Sequence, residues 1–433
     1  MGDFAEILRK GFEEFGQFIN PLIAQRASLA GEPIRVTRAV NGMLIDAEGR
    51  EIEDLHGTQA LGHRNPQVAR AIREFLESDA PSWYPSRVSP FAGRLARRLC
   101  ERTGYEIAYF ACTGSDVVEA ALKLARARTR RPRILCLEGG YHGCTYGSVA
   151  MMAPGPLYDP FGPHLPGVER VPFGDAQALR RAMGNDVAAV VVEPVQGEGG
   201  VRVLPDPFVA ALCEESARHG ALLIADEVQT SLGRTGRGFL RTESWPRRPD
   251  AVLLAKTLGG GLVPLSAMLT RKELFLGAYG RDFSDGEAHN TTFSYNSLGA
   301  VAGLATLDLL SEELLARVRE GGILFRQELE SRLAGSPFFE EVRGEGYMVG
   351  IRLRSPEHPW LTFEHFGYPH LAGQSVMAPL VCHRLYRKGF FCFTCGHDWS
   401  VLRIQPRFDI PYGKLTELAK AIREELDYLG RLS

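Results

Sequence analysis

No run in this 433-residue chain approaches the roughly 18 uncharged apolar residues that a membrane-spanning helix requires. Excess charge is missing as well: 50 Lys and Arg stand against 52 Asp and Glu, a net charge of -2. That balance removes the electrostatic case for nucleic acid or an anionic membrane surface and favours a small-molecule partner. Cysteine is sparse, with eight residues dispersed along the chain, and in the absence of a secretion signal they are expected to be reduced thiols. The opening stretch MGDFAEILRKGFEEFGQFINP mixes acids, bases and aromatics in an amphipathic-helix pattern, without the continuous apolar region of a signal peptide. We therefore expect a cytoplasmic protein. There is no internal repeat and no low-complexity tract.

Short apolar runs alternate with helical periodicity from about residue 67 to residue 270, the pattern of an α/β domain. Five strands are predicted: EIAYF (106–110), RILCL (133–137), VAAVVVE (187–193), ALLIAD (221–226) and AVLLA (251–255). Runs this continuously apolar are buried on both faces, which predicts a mainly parallel sheet. DVVEAALKLARARTR, PDPFVAALCEESARHG and FAGRLARRLCERTG carry apolar residues at three- and four-residue spacing, and the last two end on a helix-stopping glycine. The segment 297–336 reads as one long helix or two in series, followed by strand-like EEVRGEGYMVGIRL and SVLRIQPRFDIP and a terminal helix, an α+β unit of about 110 residues. The Pro- and Gly-rich MMAPGPLYDPFGPHLPG is a long loop of the kind that often serves function.

In open α/β sheets ligands bind beyond the carboxyl ends of the strands. Three charges sit at such ends: Glu193, Asp226 and Lys256. Thr113, Gly114 and Ser115 lie where a strand hands over to a helix, so free N–H groups, the positive dipole end and two hydroxyls converge on an anion site suited to phosphate. Ser115 alone would serve equally as a helix N-cap. Tyr141, between glycines in EGGYHGCTYG, can lay its ring against a flat group or cover the core. A phosphate site, a flat-face aromatic, a carboxylate and a strand-end lysine are the parts of a pyridoxal phosphate pocket. The lysine amine can hold the cofactor and then shuttle a proton, and the carboxylate can keep the ring nitrogen positive, making the ring an electron sink.

In order along residues 33–412, DLHGTQALGHRNPQV, FACTGSDVVEAALKLAR, GGYHGCTYG, VVVEPVQGEGG, LLIADEVQTSLGRTG, LLAKTLGGG, HNTTFSYNSLG and VLRIQP match landmarks of one enzyme family. The chain resembles the class III, ornithine/4-aminobutyrate-type, pyridoxal phosphate aminotransferases of fold type I. The combination of EPVQGEGG, ADEVQTSLGRTG and the Lys-Gly run about thirty residues on is highly specific. The resemblance implies an α/β fold with a large domain around a mainly parallel central sheet and a smaller α+β domain from the two chain ends. The boundaries expected are 1–66 and 321–433 for the small domain and 67–320 for the cofactor-binding domain.

The resemblance also implies roles, residue by residue. Lys256 is the Schiff-base lysine, Asp226 the partner of the ring nitrogen, and Gln229 approaches the phenolic oxygen of the ring. Thr113, Gly114 and Ser115 hold the phosphate, Tyr141 stacks on the ring, and His142, Glu193 and Val228 complete the cofactor site. Thr292 reaches the phosphate of a neighbouring subunit, because such sites are shared across a homodimer, with a tetramer also open. Arg403 clamps the carboxylate of the keto-acid acceptor, and Glu198 pairs with that arginine when an amine without a nearby carboxylate enters. Trp83, Tyr84 and Arg87 in PSWYPSRVSP are candidates for substrate contact or for packing at the dimer interface. The implied reaction moves an amino group from an amine or ω-amino acid to an α-keto acid in ping-pong half-reactions. An aminomutase or decarboxylating transaminase would share the pocket, and a catalytically silent binding protein of this fold is the reading from another class.

Some positions depart from the family. Val117 and Val118 replace its usual Ala-Asn after the phosphate turn, Tyr295, Asn296 and Ser297 replace Gly-Asn-Pro, and Arg407 stands for a second proline. These bear on specificity more than on reaction type. Cys392, Cys395 and His397 lack the second ligand pair that zinc needs, so no metal is expected. Lys123, four residues after Glu119, is expected to form an ordinary surface pair with it.

Overall fold

The computed structural model describes residues 4–23, 35–40, 42–152, 157–284, 286, 288–355, 362–365 and 373–431. The chain divides into two compact units, residues 66–319 and residues 1–65 with 320–433.

A seven-stranded sheet forms the centre of the first unit, in the order Ile107–Ala111, Ser266–Thr270, Ala251–Leu254, Leu222–Asp226, Val187–Val192, Arg133–Leu137 and Val168–Val171. All of its strands run the same way except Ser266–Thr270, which pairs antiparallel with both of its neighbours. The sheet is thus mainly parallel, as expected, and the five predicted strands are all in it. Two strands escaped the sequence reading. SAMLT comes four residues after the glycine run that follows Lys256 and is too short to separate from that loop by pattern. Val168–Val171 is an edge strand, so its charged Glu169 and Arg170 break the apolar run that marks a covered strand.

Period-two alternation sends side chains to opposite faces. Ile134, Cys136, Ala189, Val191, Ile224 and Leu253 pack with the helix Gly114–Thr129 in one cluster, while Leu135, Leu137, Val190, Val192 and Leu223 pack with the helix Asp206–His219 in another. Both faces are covered, and Val187–Val192 is buried at all six positions. Helix ends follow local rules: Ser89 Oγ caps Pro90–Thr103 by accepting from Ala92 N–H (3.3 Å), and Gly104 (φ 70°) and Gly220 (φ 61°) close their helices in the left-handed conformation.

The second unit holds an antiparallel sheet ordered Phe339–Glu345, Met348–Leu353, Asp398–Ile404, Phe393–Cys395, a smaller sheet ordered Val36–Val40, Met43–Asp46, Glu51–Asp54, Phe390–Phe391, and the helices Met377–Arg387 and Tyr412–Gly430. Its N-terminal residues include the amphipathic helix Phe4–Phe18. The segment 297–336 resolves into two helices, Ser297–Leu309 and Glu312–Leu333. The long loop carries a short helical turn at Asp159–Phe161, and residues 153–156 of it lie outside the described residues.

Candidate active site

The carboxyl edge of the large sheet gathers most of the predicted residues. Ala225 pairs with Val192 and Asp226 with Leu253, so Glu193, Asp226 and Lys256 leave three adjacent parallel strands at the same edge. Ala111 pairs with Ser266, and Ala267 with Leu254, which brings the turn at Thr113 to that edge too.

Thr113 is the N-cap of the helix Gly114–Thr129. Its Oγ1 accepts from Asp116 N–H (3.2 Å), and Asp116 Oδ2 accepts from Thr113 N–H (2.9 Å), a closed capping box. The N-cap is therefore Thr113 and not Ser115. The first turn of a helix leaves its leading N–H groups outside the ladder, and among the described residues those of Gly114 and Ser115 take no cap bond. Ser115 Oγ accepts from Cys144 N–H (3.1 Å), which leaves its own proton to donate. A Cβ on Gly114 would lie 3.3 Å from Val228 Cγ1 and 3.7 Å from the Ala255 Cβ, so the turn packs against the residues beside Asp226 and Lys256.

Asp226 is buried. Its Oδ2 accepts from His142 Nδ1 (2.8 Å) and its Oδ1 from Val228 N–H (3.1 Å). Burial works against a charged His142, but the hydrogen bond and charge of Asp226 and the charge of Glu193 outweigh it and hold the imidazole above its usual range. Glu193 is also buried; its two oxygens accept from Tyr141 N–H (2.8 Å) and Gly197 N–H (3.3 Å). Burial pushes its carboxyl up to about 7, with the His142 charge opposing and the Asp226 charge adding. The edge thus carries a hydrogen-bonded imidazole–carboxylate pair and a second carboxyl that acts on it through charge.

Lys256 opens a single turn, Lys256–Gly259, and is half-buried with φ 46°. The left-handed region costs a non-glycine residue roughly 1–2 kcal/mol and is met mostly where function imposes it. Tyr141 lies beside Cys144, with Oη 3.2 Å from Sγ. Burial raises its phenol, helped by that contact and by the charges of Tyr158 and Glu198, and burial with the Cys144 and Glu198 charges pushes Tyr158 up to about 12. Gln229 is half-buried in the loop after Asp226.

Of the remaining candidates, Trp83 and Thr292 are in contact. Trp83 Nε1 donates to Thr292 O (2.8 Å), and Ser297 binds the same segment through Ser82 O (3.0 Å) and Pro81 O (2.8 Å). Tyr84 O accepts from Arg87 N–H (2.8 Å), and Arg87 takes φ 61°. Arg403 belongs to the second unit, buried on the strand Asp398–Ile404 between Gly350 and Phe393. Cys392 and Cys395 are buried free thiols in that unit.

Three features were not visible in the sequence. Glu227, wholly buried, accepts from Arg241 N–H (2.7 Å), Thr242 N–H (2.9 Å), Thr242 Oγ1 (2.7 Å) and Thr230 Oγ1 (3.1 Å), pinning the loop next to Asp226. Glu119 and Lys123 do not pair with each other. Glu119 Oε1 accepts from Gly147 N–H (2.8 Å) and Ser148 N–H (3.2 Å), while Lys123 Nζ donates to Ala288 O (3.1 Å) and His289 Nδ1 (3.1 Å). Each found a loop from elsewhere in the chain, so helix spacing alone misassigned them. The third is Cys144, which joins Ser115 to Tyr141.

The arrangement fits pyridoxal phosphate on its own chemistry. Helix-start amides and a hydroxyl proton suit a phosphate, a buried carboxylate suits a protonated ring nitrogen, and a half-buried strand-end amine suits a carbonyl.

Comparison with known proteins agrees. The family profile described as Aminotransferase class-III matches residues 26–426. An ornithine aminotransferase of Bacillus subtilis is 33% identical over 393 residues, covering 86% of this chain and 88% of that protein. A putrescine aminotransferase of Pectobacterium atrosepticum is 36% identical over 380 residues, covering 82% and 79%. Among solved structures, the ornithine aminotransferase of Toxoplasma gondii superposes with a TM-score of 0.82 at 26% identity, over 92% of this chain and 91% of that one. An amine transaminase from an uncultivated Pseudomonas species, solved with pyridoxal phosphate bound, superposes with a TM-score of 0.77 at 27% identity, over 91% and 93%.

Proposed function

Because the chain belongs to the class III aminotransferases and uses pyridoxal phosphate, we propose that Lys256 and Asp226 are its catalytic pair and that its donor carries a terminal amine. The observation that carries this reading is the departure of both residues from adjacent parallel strands at one sheet edge, with the Gly114 turn packed on their neighbours. When bound, pyridoxal phosphate supplies an electron sink for the charge left on the substrate carbon after it loses a proton.

The chain's own residues do the rest. Lys256 Nζ would anchor the cofactor and, as a free amine, would take the proton from the amine-bearing carbon as general base. Asp226, whose carboxylate accepts from His142 Nδ1 and Val228 N–H, would hold the proton of the ring nitrogen. The amides of Gly114 and Ser115 and the Ser115 hydroxyl hold the phosphate, and Tyr141 covers one face of the ring. Arg403 takes the carboxylate of the keto acid, for which a guanidinium offers two parallel donors. Residues 66–319 form the cofactor-binding unit, and the working molecule is a cytoplasmic homodimer in which Thr292 serves the neighbouring subunit. A terminal-amine donor is supported by the relatives, whose names give ornithine and putrescine.

Purified protein should show the visible absorption of lysine-bound cofactor, bleached by a terminal amine and restored by pyruvate or 2-oxoglutarate. Lys256→Ala should abolish turnover and the lysine-bound band. A wild-type protein that takes up cofactor but is bleached by no amine would refute the donor class, and a Lys256→Ala protein that still turns over would refute the lysine.

A further inference from the structure

We propose that Glu119 is a positioning residue that sets the register between the phosphate anchor and the ring-covering Tyr141. The inference rests on the assignment of Ser115 to the phosphate and Tyr141 to the ring, and it concerns a carboxylate that touches neither.

Ser115 and Glu119 lie four residues apart, on one face of the helix Gly114–Thr129. Gly143 and Gly147 lie four apart on the facing segment, and each glycine receives one of those side chains. A Cβ on Gly143 would sit 2.1 Å from Ser115 Oγ, and a Cβ on Gly147 would sit 2.4 Å from Glu119 Oε2. Only glycine lets the segment approach this closely. Between the two glycines the contact is closed by hydrogen bonds: Cys144 N–H donates to Ser115 Oγ (3.1 Å), and Thr145 Oγ1 (2.5 Å), Gly147 N–H (2.8 Å) and Ser148 N–H (3.2 Å) all donate to Glu119 Oε1. The other end of the loop is tied at Tyr141 N–H to Glu193. Tyr141 is therefore held at its own N–H by Glu193 and, through Gly143 to Ser148, by the helix that offers the phosphate site.

The distance from phosphate to ring within the cofactor is set by covalent bonds. A protein that grips both ends must match it to within about 0.5 Å to bind tightly. Gly114 and Ser115 hold one end, and their own turn ties the Tyr141 loop by a single hydrogen bond, from Cys144 N–H to Ser115 Oγ. Glu119, one turn further on, adds the three bonds that fix how far along the helix the loop lies. Because one carboxylate oxygen takes three donors, it resists sliding in either direction, which a single hydrogen bond would not.

The test is a double-mutant cycle on the holoenzyme, read as the rate of pyridoxal phosphate release into excess buffer and as the circular dichroism of its visible band. Glu119→Ala should speed release by on the order of tenfold, the loss expected for a charge-assisted contact, and should weaken the dichroic band. Glu119→Gln keeps an accepting oxygen and should stay within about threefold of wild type. Gly147→Ala has an ordinary helical backbone, so its only effect is to push the carboxylate away, and it should reproduce Glu119→Ala. It also carries the test if Glu119→Ala gives no folded protein. In a Tyr141→Ala background, Glu119→Ala should add less than about twofold, because the residue acts through the ring. Full additivity in that background, or unchanged release and dichroism in Glu119→Ala and Gly147→Ala, would overturn the proposal while leaving the assigned site intact. Tyr141→Ala that releases cofactor at the wild-type rate would instead remove the ring assignment, and this inference with it.

Discussion

Replacing Glu193 with glutamine should make the protein more stable, by an amount that grows as pH rises from about 4.5 to about 7. The carboxyl is buried at the end of Val187–Val192, and burial raises it from its usual 4.5 to about 7, against the opposing charge of His142. In the unfolded chain it ionises at the lower value. The native state therefore keeps the proton over a pH range in which the unfolded state has lost it, and stability falls as pH rises from about 4.5 to about 7. Two and a half pH units at about 1.4 kcal/mol each give a cost of about 3 kcal/mol above pH 7. The Glu193 charge also helps hold the His142 proton, so part of the gain returns through the imidazole, and a net of about 2–3 kcal/mol is expected. Glutamine cannot ionise; its oxygen still accepts from Tyr141 N–H, while the longer bond from Gly197 N–H (3.3 Å) is lost, a cost of about 1 kcal/mol at every pH that leaves the opening of the gap with pH unchanged. Urea unfolding at saturating pyridoxal phosphate, followed by tryptophan fluorescence at pH 5, 6, 7 and 8, reads the difference between variant and wild type, in which the cofactor's own titration cancels. The gap should be about 1 kcal/mol or less at pH 5 and open to its full size by pH 8. A gap of constant size across that range, or a variant less stable at pH 8, would refute the reasoning.

Asp226→Asn removes the charge that lifts His142 and the carboxylate assigned to the ring nitrogen, and should lower kcat by on the order of 10²–10³; unchanged half-reaction rates in stopped-flow would count against the assignment. In the same variant the His142 imidazole should titrate lower than in wild type, read by NMR of the ring protons. Thr113→Ala opens the capping box of the helix Gly114–Thr129 and should cost about 1 kcal/mol in urea unfolding, with Thr113→Ser restoring most of it.

The placement of the charged strand ends was legible in the residues because each signal was local. Glu193, Asp226 and Lys256 are where apolar runs stop, and a parallel sheet places all such stops on one edge. Helix ends were legible for the same reason, since Gly104 and Gly220 act within their own turn. The antiparallel Ser266–Thr270 was not, because its neighbours Ile107–Ala111 and Ala251–Leu254 make it a strand and no periodicity of its own announces it.

The amino-acid order alone determined which groups stand at the sheet edge, the family to which they point and the cofactor they suit, because those features depend on neighbours a few residues away. Tertiary structure alone decided whom Glu119 and Lys123 would meet, since Gly147 and His289 lie 28 and 166 residues from them. It also decided that Glu193 holds its proton to about pH 7. Charge at a buried position depends on the solvent excluded and on the charges brought near by folding, and neither quantity exists in an extended chain.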